Sequence, residues 1–243
     1  MGNPFYLLLL AVLTLIVGWL SVTSNMLRNE VFNMNAFNAL AAAKPNPGKA
    51  KAGFSLARTQ IAFWTVIVIG SYVYVLISGS ISAHGLTIPN LDPVNLVLLG
   101  VAAGTTVAAK AIDNSQQNSA TPDKTSQQDV PSKGFLPDIL SDENGISVHR
   151  LQNVIWTVVV GGIYIAYVYS SSKADLPGKN IITDSMLGLM GISSAAYLGV
   201  KTTENSTPVQ QPPTPGQPAK PDQPAQPDQP VQPAQQDQAD QPV

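Results

Sequence analysis

One stretch of this chain is used twice, and the repetition limits what the chain can become. Residues 54–78 read FSLARTQIAFWTVIVIGSYVYVLIS and residues 146–170 read ISVHRLQNVIWTVVVGGIYIAYVYS. Aligned without a gap, they share Ser55/Ser147, Arg58/Arg150, Gln60/Gln152, Trp64/Trp156, Thr65/Thr157, Gly70/Gly162 and Tyr72/Tyr164. Each is followed by a polar break and a second apolar, small-residue segment ending in lysine, LLGVAAGTTVAAK (98–110) and LMGISSAAYLGVK (189–201). The uncharged runs reach the roughly 20 residues needed to cross a hydrocarbon core of about 30 Å. The pattern predicts an all-α integral membrane protein with a duplicated pair of transmembrane helices.

Composition agrees with a bilayer as the solvent. Of 243 residues, 44% are hydrophobic and 12% charged, against a usual charged share of about 25%. The deficit is concentrated in five segments nearly free of charge. The net charge of −2 does not argue for nucleic acid as a partner. The absence of cysteine excludes disulfides, thiolate metal sites and thiol nucleophiles.

In chain order, five regions are expected. Residues 1–53 hold an N-terminal helix over 5–22 and a connector. A cleaved signal peptide is the competing reading for 5–22, although no Lys or Arg precedes Arg28. Within the connector, MLRNEVFNMNAFNALAAA reads either as a short interfacial helix or as a plain connecting segment, and KPNPGKAKAG is a Pro/Gly break. Residues 54–113 form repeat 1, whose helices start at Ser55 as N-cap and at Asp92-Pro93, with Asp as N-cap and Pro at N1. Residues 114–145 read as a flexible, polar linker ending in GFLPDILSDENG, a short apolar patch suited to the membrane surface. Residues 146–204 form repeat 2, with Ser147 and Asp184 as the corresponding caps. Residues 205–243, rich in Pro, Gln, Ala and Asp, carry too little apolar surface to fold and read as an extended, disordered tail. That makes about five spans.

Arg and Lys divide unevenly between the alternating loops. The set 23–60, 110–150 and the tail holds eleven, while the other set holds only Lys173 and Lys179. The positive-inside rule then puts the N-terminus outside and the linker and tail in the cytoplasm. Two repeats entering from the same side are related by an axis along the membrane normal.

Three groups of residues are candidates for a role. Gly100, Gly104 and Ala108, matched by Gly191, Ala195 and Gly199, are spaced four apart, which lets helix backbones approach closely. The bland reading is packing within one chain, and the alternative is a seam between copies. Gln60 and Gln152 stand one turn before Trp64 and Trp156, so two amides and two indoles are available to line a pseudo-symmetric pore or ligand site. Interhelical hydrogen bonding is the structural alternative. Arg58 and Arg150, at helix ends, are placed to snorkel to phosphate headgroups. No acidic or basic residue lies deep in a span, which argues against ion-coupled transport. His84 and His149 fall on opposite sides of the membrane and cannot share a metal, and no phosphate loop, zinc motif or nucleophile elbow is present. No catalytic residue, metal or cofactor is expected.

The segments SLARTQIAFWT, LLGVAAGTTVAAKAID, FLPDILSDENGISVHRLQNVIWT and LMGISSAAYLGVK, in that order, resemble a family of uncharacterised bacterial membrane proteins. The resemblance covers about residues 54–203. It departs at Val101-Ala102-Ala103, where the family more often has Ile-Ser-Ala, and at Ala195-Ala196, where Gly-Thr is usual. It implies a bacterial inner membrane and no particular activity.

The expectation is therefore a non-enzymatic anchor, scaffold or assembly subunit in the lipid bilayer, whose linker and tail meet a cytoplasmic protein partner, with a homo-oligomer as a further option. A small pore lined by Gln60, Gln152, Thr65 and Thr157 is the alternative.

Overall fold

A computed structural model describes residues 4–83, 88–118, 126–142, 145–171 and 176–204, with the backbone alone over 80–83. The protein is mostly helical. The helices are α1 (Pro4–Thr23), α2 (Met34–Ala42), α3 (Leu56–Ala83), α4 (Pro93–Asn118), α5 (Phe135–Leu140), α6 (Val148–Ser170) and α7 (Asp184–Thr203). Four of them, α1, α3 (over Leu56–Gly79), α4 and α6, are long and apolar enough to cross a membrane. Their outward faces carry exposed Leu15, Trp19, Val107 and Val158, as lipid-facing surfaces do. The fifth expected span is also a helix, α7, which at 20 residues is about 30 Å long. Its serines, glycines and lysine leave it less apolar, and it is not among those four. The tail, Lys173 and His84 lie outside the described residues.

Local sequence explains most helix starts. Asp92 caps α4 as expected, its Oδ1 accepting the Val94 N–H at 2.9 Å, with Pro93 at the first helical position. Ser55 Oγ accepts the Arg58 N–H at 3.5 Å, whereas its twin Ser147 makes no side-chain cap bond. At α7 the cap is Thr183 rather than Asp184, and its hydroxyl accepts the Met186 N–H at 3.4 Å. Asp184 sits in the first turn, where its charge complements the helix dipole.

Side-chain bonds give the directions of the helices. Tyr6 and Ser71 hydroxyls are 2.8 Å apart and Leu10 lies against Gly70, so α1 runs antiparallel to α3. Gln60 bonds Asn153 and Thr157, and Phe63 faces Gly161, so α3 and α6 run side by side in the same direction. The Thr106 hydroxyl donates to the Ala57 carbonyl at 3.2 Å, setting α4 antiparallel to α3. One end of the bundle therefore gathers the end of α1, the starts of α3 and α6 and the ends of α4 and α7. At the other end, the Tyr164 hydroxyl donates to Asn95 Oδ1 at 2.6 Å, and Asn95 Nδ2 donates to the Pro177 carbonyl at 3.3 Å. The main core, including Trp64, Val68, Leu98, Val160 and Tyr164, lies between these ends.

The two copies do not bury the same face. In α3 the buried positions include Gln60, Trp64, Ile67, Val68, Gly70, Ser71 and Tyr74; in α6 they are Arg150, Asn153, Thr157, Val160, Gly161, Tyr164 and Val168. Only Val68 and its twin Val160 are buried in both. The buried stripe of α6 is displaced by one residue, a rotation of about 100° about the helix axis. An apolar helix in an apolar solvent has no amphipathic face to choose, so its neighbours choose for it. Here α1 covers Gly70, while Gly162 stands open.

Candidate functional site

The connector after α1 and the linker before α6 fold together over one end of the bundle. Asn33 caps α2 by accepting the Asn35 and Ala36 N–H groups, which makes the short helix, rather than a plain connector, the outcome for this segment. The Pro/Gly break becomes a single 3₁₀ turn, Pro47–Lys49. Of the linker expected over 114–145, residues 114–118 continue α4 and residues 126–142 are structured too. Ser126–Asp129 forms a capping box around a 3₁₀ turn, and α5 follows Gly134, whose φ of 122° suits a residue without Cβ. Ile139 of α5 is buried against Leu56 and Tyr197.

Two linker aspartates join the layers. Asp129, fully buried, accepts the backbone N–H groups of Phe32 and Asn33 through Oδ1, at 2.8 and 2.7 Å, and that of Ser126 through Oδ2 at 3.0 Å. Asp138 accepts the Phe54 N–H at 3.1 Å and the Ser132 hydroxyl at 2.6 Å through Oδ2, and the Lys133 N–H at 2.8 Å through Oδ1. Lys44 Nζ donates to the carbonyls of Pro131 and Ser132 at 3.1 and 2.6 Å. Arg28 donates to the Ala52 carbonyl and lies over the Phe54 ring at 4.1 Å. Charge-assisted bonds to backbone groups are the strong kind, and these span up to 97 residues of sequence.

Beneath this cap lies a buried ionic cluster. Arg150 pairs with Glu204 through Nη2 and lies 5.4 Å from the Tyr197 ring. Lys201 Nζ is 2.8 Å from Asp113 and 3.8 Å from the second Glu204 oxygen. Asp113 also accepts from Gln128 Nε2 at 2.8 Å, and Gln116 Nε2 donates to the Lys201 and Glu204 carbonyls, both at 2.8 Å. Two cations and two carboxylates balance, so the group is held at low dielectric without excess charge. The desolvation of the four groups offsets much of their mutual attraction, so breaking one pair costs more than the intact cluster contributes. A cavity of about 130 Å³ separates it from the cap, lined by Asp138, Gln128, Tyr197 and Arg150 among others.

A second cluster lies beside it. Glu30 Oε1 accepts from Arg58 Nη2 at 2.8 Å and from Lys110 Nζ at 2.5 Å. The two basic groups hold the Glu30 carboxyl below the usual range for a glutamate, with Lys110 the larger influence.

The residues singled out from sequence divide between these sites and the surface. Gln60 is buried and donates to Asn153 Oδ1 at 3.0 Å and Thr157 Oγ1 at 2.8 Å. Gln152 is exposed, so the two amides do not meet. Trp64 is buried, Trp156 half-buried and Thr65 exposed. Arg150 does not reach outward to headgroups; it is 7% exposed and committed to Glu204. Arg58 is half-buried. The small-residue stripes face away from the bundle: Gly100, Gly104, Ala195 and Gly199 are exposed, Ala108 and Gly191 half-buried, and an added Cβ at any of the four glycines would meet nothing within 4 Å. Packing inside the chain uses the opposite faces, Leu98–Ala102–Thr105–Ala109 and Met190–Ser194–Tyr197–Lys201.

Sequence reasoning missed Asp129, Asp138 and Glu204. For Asp129 a signal existed, since Ser126-Gln-Gln-Asp129 is a capping-box spacing with Asp in place of Glu. Glu204 carried no signal beyond being an acid at the foot of the tail.

No protein-family profile matches the chain, and neither a curated protein nor a solved structure matches it.

Proposed function

We propose that this protein is a non-enzymatic membrane anchor or scaffold that displays its Pro/Gln-rich tail, from a fixed point, to a protein partner. The observation that carries this reading is the burial of Glu204. Glu204, at the end of α7, is 6% exposed and ion-paired to Arg150, and its carbonyl accepts from Gln116 of α4. The tail's root is thereby tied to α6 and α4 as well as to α7. In this reading α7 is a fifth crossing, the repeats enter the bilayer from one side, and the basic end of the bundle faces the cytoplasm of a bacterial cell.

The pore alternative has less support, because its expected lining is split between the interior (Gln60, Thr157) and the surface (Gln152, Thr65).

Affinity capture from native membranes tests the proposal, with the full chain and a chain lacking residues 206–243 as paired baits. The expected result is a partner retained by the full chain and lost on truncation. Identical captures from both baits overturn it.

A further inference from the structure

We infer that Arg58 and Lys110 form a binding site for the phosphodiester of an anionic phospholipid, with Glu30 as the built-in competitor that holds the site when the lipid is absent. The two cations come from different helices and converge on a single carboxylate oxygen. Two positive charges against one negative leave the trio with an excess of one, matching a phosphodiester; Asp113, which also lines the groove, is neutralised by Lys201 at 2.8 Å. The trio lines a groove of about 130 Å³ between the start of α3 and the second half of α4, together with Ala57, Thr106 and Val107.

The place is also right for a lipid. Lys110 stands where the apolar part of α4 ends, and Val107, one turn towards the apolar stretch, is 70% exposed. A headgroup phosphate held at Lys110 sets its acyl chain along that face, where Gly104 leaves open space. Basic pockets between transmembrane helices bind headgroups in this way. The positive excess of the trio itself favours an anionic over a zwitterionic lipid. Glu30, on the connector, is the more exposed partner: its side chain is 57% exposed, whereas Arg58 is 28% exposed and sits in the first turn of α3. Lipid binding therefore releases Glu30, and with it one tie between connector and helices.

The test uses the purified full chain in detergent, with native mass spectrometry reading retained phosphatidylglycerol against phosphatidylcholine of the same acyl chains. Each surface cation contributes about fivefold to anionic lipid binding, the equivalent of about 1 kcal/mol. Arg58→Gln with Lys110→Gln is expected to lower phosphatidylglycerol retention about 25-fold. Glu30→Gln is expected to raise it about fivefold by removing the competitor. Unchanged retention in the double variant, equal retention of phosphatidylcholine by the native chain, or displacement of phosphatidylglycerol by millimolar inorganic phosphate each overturn the proposal, the last by making the ligand a free anion. Should the double variant fail to fold, Glu30→Gln decides alone: a rise supports the site, and no rise refutes it.

Discussion

Replacing Asp129 with alanine should release the cap without unfolding the bundle. The carboxylate accepts the backbone N–H groups of Phe32 and Asn33, which tie the connector to the linker. A hydrogen bond to a charged group contributes about 1.5–3 kcal/mol. At the lower figure, two bonds to the connector give about 3 kcal/mol, or roughly 150-fold in the equilibrium for local opening. The bond to Ser126 lies within the linker and adds to the loss without joining the two segments. Hydrogen exchange read by mass spectrometry on the full chain in detergent reports this opening directly. Peptides covering 28–54 and 126–142 should lose about two orders of magnitude of protection, while those from α3 and α6 keep theirs. Asp129→Asn, which retains one oxygen but not the charge, should fall between. Less than a tenfold change in the cap peptides would refute the assignment of Asp129 as the joint between connector and linker. An equal loss in α3 and α6 would refute the separation of cap from bundle.

Three further outcomes are expected. Arg150→Met strands Glu204 at a buried position and should destabilise by about 3–5 kcal/mol. The lower end applies because Lys201 remains 3.8 Å away, and Arg150→Met combined with Glu204→Leu should recover most of the loss in a thermal melt. Gly161→Ala sets a Cβ 2.4 Å from the Phe63 ring and should cost about 1–3 kcal/mol. Gly162→Ala meets nothing and should be neutral or stabilising by up to about 1 kcal/mol; equal melts for the two would refute the packing of α3 on α6. Glu30 titrates below its usual value in the folded chain because of Lys110 and Arg58. Its tie therefore contributes fully above the unfolded glutamate value of about 4.3 and is lost as pH falls through the lower folded value. Exchange at residues 28–32 should accelerate across that window, and Glu30→Gln should abolish the pH dependence.

The sequence by itself determined where the long apolar helices run. Charge-free runs of about 20 residues have only one way to satisfy their backbone in lipid, so α1, α3, α4 and α6 follow from the runs themselves. Asp92-Pro93 likewise marks the start of α4 through chemistry confined to neighbouring residues. Tertiary structure decided which face of each helix turned inward. Residues that align between the two similar stretches met different neighbours, with α1 against Gly70 and nothing within 4 Å of an added Cβ at Gly162, so Gln60 went in and Gln152 stayed out. It also decided that the polar segments would fold. The bonds that hold them run from aspartate side chains to backbone groups 84–97 residues away. A bond of that kind leaves no periodicity in either partner, because the backbone N–H it uses is the same in every residue but proline.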